Sequence, residues 1–280
     1  MEIGIVGLGY VGSALYSKFS EKNQIHTYDI SKVSNCKSLT EIVNKSEIIF
    51  ICLPTPMKLN GECDTSLIYS TLKSINDHSK NSKFVIIKST VTVGFTRKIQ
   101  NECDKLSITF NPEFLRERSY EKDFKQQKYI ILGGKHEDCL KVKKIYCNFF
   151  PNIDYIITDS NTAEMVKYTI NNFLAMKVSF ANEVFRFCEK LDINYHEMIK
   201  IAKNDIRLGT SHLDVPGPDG NFGFGGSCFP KDTSAFLFEM EKNDVISYVI
   251  KAIVERNNKI DRPDKDWKQL KGRAVVSDEN

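Results

Sequence analysis

At 280 residues, with 41% hydrophobic and 27% charged side chains, the chain has the make-up of an ordinary globular protein of about two domains. A net charge of +3 without a long basic block argues against nucleic acid as the main partner, and no apolar run reaches membrane-spanning length. Eight cysteines without C-x-x-C spacing point away from zinc-ribbon and thioredoxin chemistry, so no metal is expected and most of these thiols should be buried small hydrophobes.

The N-terminus opens directly on an apolar strand with neither a basic leader nor a small-residue cleavage site, which makes cytoplasmic residence the expectation. That strand, at 2–7, leads into Gly7-Leu8-Gly9-Tyr10-Val11-Gly12 and then an amphipathic segment. Strand, glycine turn and helix in this order are the context of a dinucleotide fingerprint, in which Gly9 lets the backbone approach a pyrophosphate at the helix N-terminus. Asp29 ends the second apolar run, where a carboxylate accepts hydrogen bonds from ribose hydroxyls and repels a 2′-phosphate, so NAD is favoured over NADP. Further β-rich runs at 47–53, 83–89, 106–110, 128–133 and 153–158 alternate with helical or polar stretches. This alternation predicts an α/β fold with a Rossmann-type, doubly wound and mostly parallel sheet over residues 1–160. Only a brief helix fits between Asp29 and Pro54.

Thr90 follows the run at 83–89, either facing the cofactor crevice or capping a helix. In Asn111-Pro112-Glu113-Phe114-Leu115-Arg116-Glu117 the two glutamates are four apart and share a face if the segment is helical; otherwise it is a solvated charged turn. From 161 to 190 there is no glycine or proline and the apolar spacing is helical, which predicts one connecting helix about 40 Å long leading into an all-α domain over 161–260. Lys167 and Asn171 lie one turn apart on it, as a pair of oxyanion donors or as part of a wetted stripe.

Two more helices are predicted at 194–204 and 230–258, the latter broken near Asn243. Between them, residues 216–227 hold five glycines, either a loose linker or a stretch of backbone built for close approach to a ligand. Cys228 ends this loop just before Pro230, Lys231 and Asp232, where a helix N-terminus and a nearby lysine favour thiolate over thiol. The same sulfur is equally compatible with packing, and Asp232 with a first-turn acid that favours the helix dipole. The stretch 261–280 is polar and is expected to be loosely held.

Taken together, 7–12, 53–56, 88–94, 111–117, 163–172, 205–209 and the run 222–233, Phe-Gly-Phe-Gly-Gly-Ser-Cys-Phe-Pro-Lys-Asp-Thr, closely resemble the UDP-glucose/GDP-mannose dehydrogenase family. The resemblance implies oxidation of a nucleotide-sugar C6 alcohol to the carboxylate with two NAD in succession, UDP-glucose to UDP-glucuronate being the leading case. It gives Cys228 the part of nucleophile, Lys167 and Asn171 the oxyanion, Glu117 thioester hydrolysis, and Asp232 with Thr90 a proton-relay water. It places Gly7, Gly9, Tyr10, Val11, Gly12, Asp29, Pro54, Thr55, Ser89 and Thr90 at NAD. Glu113, Phe114, Leu115, Lys167, Asn171, Phe222, Gly223 and Gly225 fall at the sugar, with Arg207 reaching it across a homodimer.

Members of the family continue into a third domain, and Leu270-Lys271-Gly272-Arg273-Ala274-Val275-Val276 resembles its opening strand, so 261–280 is expected to be the stub of a missing domain. Weakened nucleotide affinity, or a separate polypeptide that supplies the domain, would follow. Two alternatives stand beside this: a β-hydroxyacid-type dehydrogenase, against which Cys228 speaks, and a catalytically impaired NAD-binding remnant. The sequence leaves glucose, mannose and N-acetylhexosamine substrates open.

Overall fold

The fold, a computed structural model, describes residues 2–277 and divides into two compact units. Unit 1 comprises the chain up to 55 together with 65–167; unit 2 comprises 56–64 and everything from 168 onward.

Unit 1 is a seven-stranded sheet of β1 (Glu2–Val6), β2 (Gln24–Tyr28), β3 (Ile48–Ile51), β4 (Lys83–Ile87), β5 (Leu106–Phe110), β6 (Tyr129–Gly134) and β7 (Asp154–Thr158). The spatial order is β2-β1-β3-β4-β5-β6-β7, parallel throughout except where β6 runs antiparallel to β5. All seven predicted strands are present and the sheet is mainly parallel, as the alternation of elements implied. Because consecutive side chains on a strand point to opposite faces, Ile49 and Ile51 join one core while Ile48 and Phe50 join the other. Both faces are covered: α2 (Leu39–Lys45), α3 (Ser66–His78) and α4 (Phe95–Glu102) pack on the first core, and α1 (Tyr10–Phe19), α5 (Tyr120–Lys125) and α6 (His136–Cys147) on the second. The helix between β2 and β3 spans 7 residues, brief as expected. The strand order reverses at β1, with β2 on one side and β3 on the other, and such a switch opens a crevice at the carboxyl ends of the strands.

Helix α7 (Ser160–Lys190) begins in unit 1 and continues into unit 2, matching the long helix predicted from 161 to 190. In its first turns Glu164 is completely buried and accepts hydrogen bonds from the Gly94 and Thr96 amides at 2.6 and 2.9 Å. Those amides are orphan donors at the start of α4, whose preceding Gly94 is left-handed and offers no side-chain cap. Burial raises the Glu164 carboxyl above its ordinary value even though the amides of Thr96 and Gly94 oppose the rise.

Unit 2 adds α8 (Tyr195–Ala202), α9 (Phe229–Lys242) and α10 (Tyr248–Arg256), the last two separated near Asn243 as the pattern implied. Small apolar clusters hold it together, one around Tyr195, Leu213 and Val215 and another around Ala175, Phe224 and Ile253. The expectation of a loosely held stretch after residue 260 is corrected here. A π-helical turn (Asn257–Asp261) extends α10, Trp267 and Ala274 are buried, and Met57 donates to Ala274 O while Val276 donates to Met57 O. The segment read as an opening strand makes isolated bridges, Met57 to Val275 and Lys271 to Val275. Residues 278–280 lie outside the described range.

Replacing Glu164 by alanine leaves two amides at a buried helix terminus without an acceptor and should destabilise unit 1 by about 2–4 kcal/mol. Urea unfolding of Glu164→Ala and Glu164→Gln checks this; glutamine keeps an acceptor and should cost less, and an alanine variant as stable as its parent contradicts the role.

Candidate active site

The glycine turn after β1 is built by steric exclusion. Gly7 has φ +91°, and a β-carbon there would sit 2.6 Å from Cys52 O. One on Gly12 would lie 1.9 Å from Gly7 O, so β1 and α1 approach too closely for any other residue. Gly9, the N-cap of α1, faces open space and provides no side-chain cap, which leaves the first amides of the helix available to an anion. Asp29 Oδ2 accepts from the Leu8 amide at 2.6 Å and Oδ1 from the Ser31 and Lys32 amides at 2.7 and 2.9 Å. Burial pushes this carboxyl up, but the three amides outweigh it and hold it below its ordinary value. Tyr10 and Val11 open α1 and the Tyr10 ring lies 5.3 Å from that of Tyr120. Exposed Pro54 and buried Thr55 follow β3, and Ser89 and Thr90, both buried, follow β4. These residues fit NAD, whose pyrophosphate the N-terminus of α1, free of a side-chain cap, would hold.

Further along the same strand ends, unit 1 gathers a cluster of buried charge. Lys167 is 4% exposed; its ammonium donates to Glu113 O, lies 3.3 Å from Glu113 Oε1 and stands 5.1 Å from the Phe114 ring centroid. Glu113 also accepts from the Leu115 amide at 2.6 Å. The shared helical face imagined for Glu113 and Glu117 is not formed: 111–116 is irregular and Glu117 lies in a turn before α5. Proline at 112 biases Asn111 away from helical backbone, and the carboxylate-to-amide bond closes a local turn instead.

Two members of this cluster were not singled out from sequence. Lys88 at the end of β4 donates to Asn111 Oδ1 at 3.0 Å, and the Tyr146 hydroxyl donates to the same oxygen at 2.6 Å. Asn111 Nδ2 donates to Ile131 O at 2.8 Å, so one buried amide ties β5 to its neighbours just before the Glu113 turn. Burial lowers the Lys88 ammonium to about 8, with Glu113 opposing the fall. Its one signal in the sequence is a lysine directly after the apolar run at 84–87.

In unit 2, Cys228 is the N-cap of α9 and half-buried, whereas six of the eight cysteines are buried. The helix begins at Phe229, making Pro230 its second residue and not its first. Asp232, 1% exposed, accepts from Asn171 Nδ2 at 2.5 Å and from the Lys231 ammonium. Desolvation presses the Lys231 pKa down, but Asp232 together with Cys63 and Cys228 raises it above its ordinary value, so a fixed positive charge stands near the cysteine. Phe222 packs 5.6 Å from the Phe185 ring and Gly223 donates to Asn182 Oδ1. Arg207 is exposed and paired with Asp205. Among the described residues no group of three or more His, Cys, Asp or Glu is arranged to hold a metal ion.

A switch-point crevice with a glycine-built helix terminus that lacks a side-chain cap defines a Rossmann-type dinucleotide-binding domain suited to NAD. Residues 26–150 match the model of the UDP-glucose/GDP-mannose dehydrogenase family NAD binding domain, and residues 161–259 match that family's central domain. The chain belongs to the UDP-glucose/GDP-mannose dehydrogenase family. It is 36% identical over 223 residues to the UDP-glucose 6-dehydrogenase of Rickettsia bellii, covering 78% of this chain and 50% of that one. With UDP-glucose 6-dehydrogenase TuaD of Bacillus subtilis it shares 31% identity over 297 residues, 92% of this chain and 63% of the relative. The solved UDP-glucose dehydrogenase of Pyrobaculum islandicum superposes with a TM-score of 0.83 at 27% identity, covering 92% and 68%. A Mycobacterium tuberculosis 3-hydroxyisobutyrate dehydrogenase, at 14% identity and a TM-score of 0.76, shares the fold alone.

The lowered Lys88 value has a sign that can be measured. An unfolded lysine holds its proton up to its usual 10.5, whereas the folded one releases it near 8, so the unfolded state binds more protons across that window and stability rises with pH there. Relative to Lys88→Met, the parent should gain about 3 kcal/mol between pH 8 and 10.5. Denaturant unfolding at several pH values checks it; parallel profiles for the two proteins contradict it.

Proposed function

We propose that this chain carries the catalytic part of an NAD-dependent nucleotide-sugar 6-dehydrogenase, with UDP-glucose as the favoured substrate and Cys228 as the nucleophile. The observation that carries this reading is the placement of a half-buried cysteine at the N-terminus of α9, beside a lysine whose charge is stabilised by Asp232. Helix termini and ammonium groups both favour the thiolate.

NAD bound at the α1 terminus supplies a hydride acceptor for each of two oxidations. In the first, the C6 alcohol loses a proton and a hydride to become an aldehyde, and the Cys228 thiolate adds to its carbonyl carbon to give a thiohemiacetal. The thiohemiacetal then loses its hydroxyl proton and a second hydride to give a thioester at Cys228, and water displaces the sulfur to release the carboxylate and restore the thiol. Lys167 and Asn171 act as donors to the negative oxygen, worth about 3 kcal/mol for each well-placed contact. Asp232 and Thr90 hold a proton-relaying water, and Glu117 assists hydrolysis. Glu113, Phe114, Leu115, Phe222, Gly223 and Gly225 form the sugar's surroundings, and Arg207 reaches substrate from a second subunit. A β-hydroxyacid substrate fits less well, since simple alcohol oxidation needs no thiol.

Product analysis tests the mechanism. The parent should form two NADH per UDP-glucose, whereas Cys228→Ser should form no uronate while aldehyde formation persists. Uronate from the serine variant, at two NADH per sugar, sinks the nucleophile assignment. A panel of UDP- and GDP-sugars sets the substrate.

A homodimer through α7 belongs to the same proposal. Phe173, Phe180 and Phe187 recur every seven residues along α7 and are 56%, 61% and 64% exposed. A groove of about 600 Å³ beside them is lined by Met176, Tyr248, Val249 and Ile260. Exposed apolar surface at heptad spacing suits a second helix. Sedimentation should give a dimer for the parent and a monomer for Phe180→Glu combined with Phe187→Glu; a monomeric parent, or a charged variant that stays dimeric, refutes the interface.

A further inference from the structure

The glycines before Cys228 have occupied surroundings. A β-carbon on Gly225 would lie 2.5 Å from Arg262 Cζ and 2.7 and 2.8 Å from its Nη2 and Nε, so the guanidinium lies directly against this peptide. Arg262 is 5% exposed. Its Nε and Nη2 donate to the two oxygens of Asp266 at 2.8 and 2.6 Å, a bidentate fork, and its Nη1 pairs at 2.7 Å with Asp219 within the same glycine-rich loop. Thus one side chain fixes the loop at two points, Asp219 and Gly225.

Asn257 adds a third. Its Oδ1 accepts from the Phe224 amide at 2.8 Å and its Nδ2 donates to Phe224 O at 2.9 Å, the pattern a neighbouring strand would offer. The same Oδ1 stands 2.4 Å from where a Gly223 β-carbon would be. In an α-helix, positions five apart face away from each other by about 140°. Residues 257–261 instead form a π turn, closed by Arg262 N donating to Asn257 O at 2.8 Å, and both side chains reach the one loop. Asp261, paired with Arg256 and Arg186, holds the turn from its other side.

We propose that Arg262 is a positioning residue: its guanidinium, held by Asp266 and Asp219 and laid against Gly225, fixes the loop that delivers the Cys228 sulfur to the N-terminus of α9. This rests on Cys228 being the nucleophile. The glycine density then serves close packing by Arg262 and Asn257 and is not a source of looseness. Lysine cannot replace the arginine, because an ammonium has neither the planar fork for Asp266 nor the flat face for the peptide.

Alkylation of Cys228 by iodoacetamide, followed across pH on the peptide that carries it, tests this without substrate; the other cysteine peptides serve as internal controls. Gly225→Ala should slow labelling at pH 7 about tenfold, as for a thiol pKa raised by about one unit. Arg262→Lys should shift the profile the same way by a smaller factor and lower kcat while leaving the NAD Kd unchanged. The double variant should label faster than Gly225→Ala alone, since lysine vacates the volume the alanine methyl needs. Unaltered labelling in Arg262→Lys, or a double variant equal to the product of the two singles, overturns the proposal. If Gly225→Ala does not fold by circular dichroism, Asp266→Asn decides: a raised labelling midpoint supports the positioning role and an unchanged one refutes it. A Cys228→Ser variant that still makes uronate would overturn the nucleophile reading while leaving the labelling result intact, so the two failures are distinct.

Discussion

Much of this protein depends on a β-carbon that is absent from residue 12. Gly7 O lies 1.9 Å from where that atom would stand, and the turn from β1 into α1 exists only because nothing occupies the position. The left-handed Gly7 and the hold of Asp29 on the Leu8 amide complete a backbone loop whose helix terminus carries no side-chain cap. An anion is the natural complement of that terminus. The same device recurs in unit 2, where the missing side chains of Gly223 and Gly225 admit an amide and a guanidinium. Glycine therefore does two jobs here, exposing backbone to a ligand in one place and receiving a protein side chain in the other.

Buried charge forms the second layer. Glu164 meets two helix amides, Lys167 meets Glu113, and Asp232 lies between Asn171 and Lys231. Each ion is met by a partner of fixed geometry, as burial requires. Lys88 departs from the pattern: its ammonium donates to the neutral Asn111 amide oxygen, and burial makes it easy to deprotonate. A site that must hold and release protons draws on such pairs, because a group kept between two states responds to small changes nearby.

The sheet was legible because its strands are buried on both faces and read as short apolar runs, and the glycine fingerprint because it sits between a strand and a helix. Helix α9 announced itself through Cys228, Pro230 and Asp232. What stayed hidden was non-local. Nothing in the alternation of elements shows that β6 and β7 run opposite to the five strands before them. Glu164 and Lys88 looked like ordinary charged residues until the fold brought Gly94 and Asn111 to them. The segment after residue 260 is polar yet packed, because Arg262, held by Asp266, pairs with Asp219 of the loop at 217–227. The helical pairing of Glu113 and Glu117 is absent for a local reason, the turn that Glu113 closes on the Leu115 amide.

Unit 2 is assembled from two separated stretches of chain, 56–64 and the residues from 168 onward, joined where Met57 bonds to Ala274 and Val276. As the polypeptide is synthesised from its N-terminus, Met57 emerges first and must wait for partners that follow it by more than 200 residues. Sheet strands on both sides of it can pair in the meantime, whereas the second unit closes late and through contacts of long sequence separation. Chaperone dependence during synthesis is therefore expected to concentrate in the unit that carries Cys228.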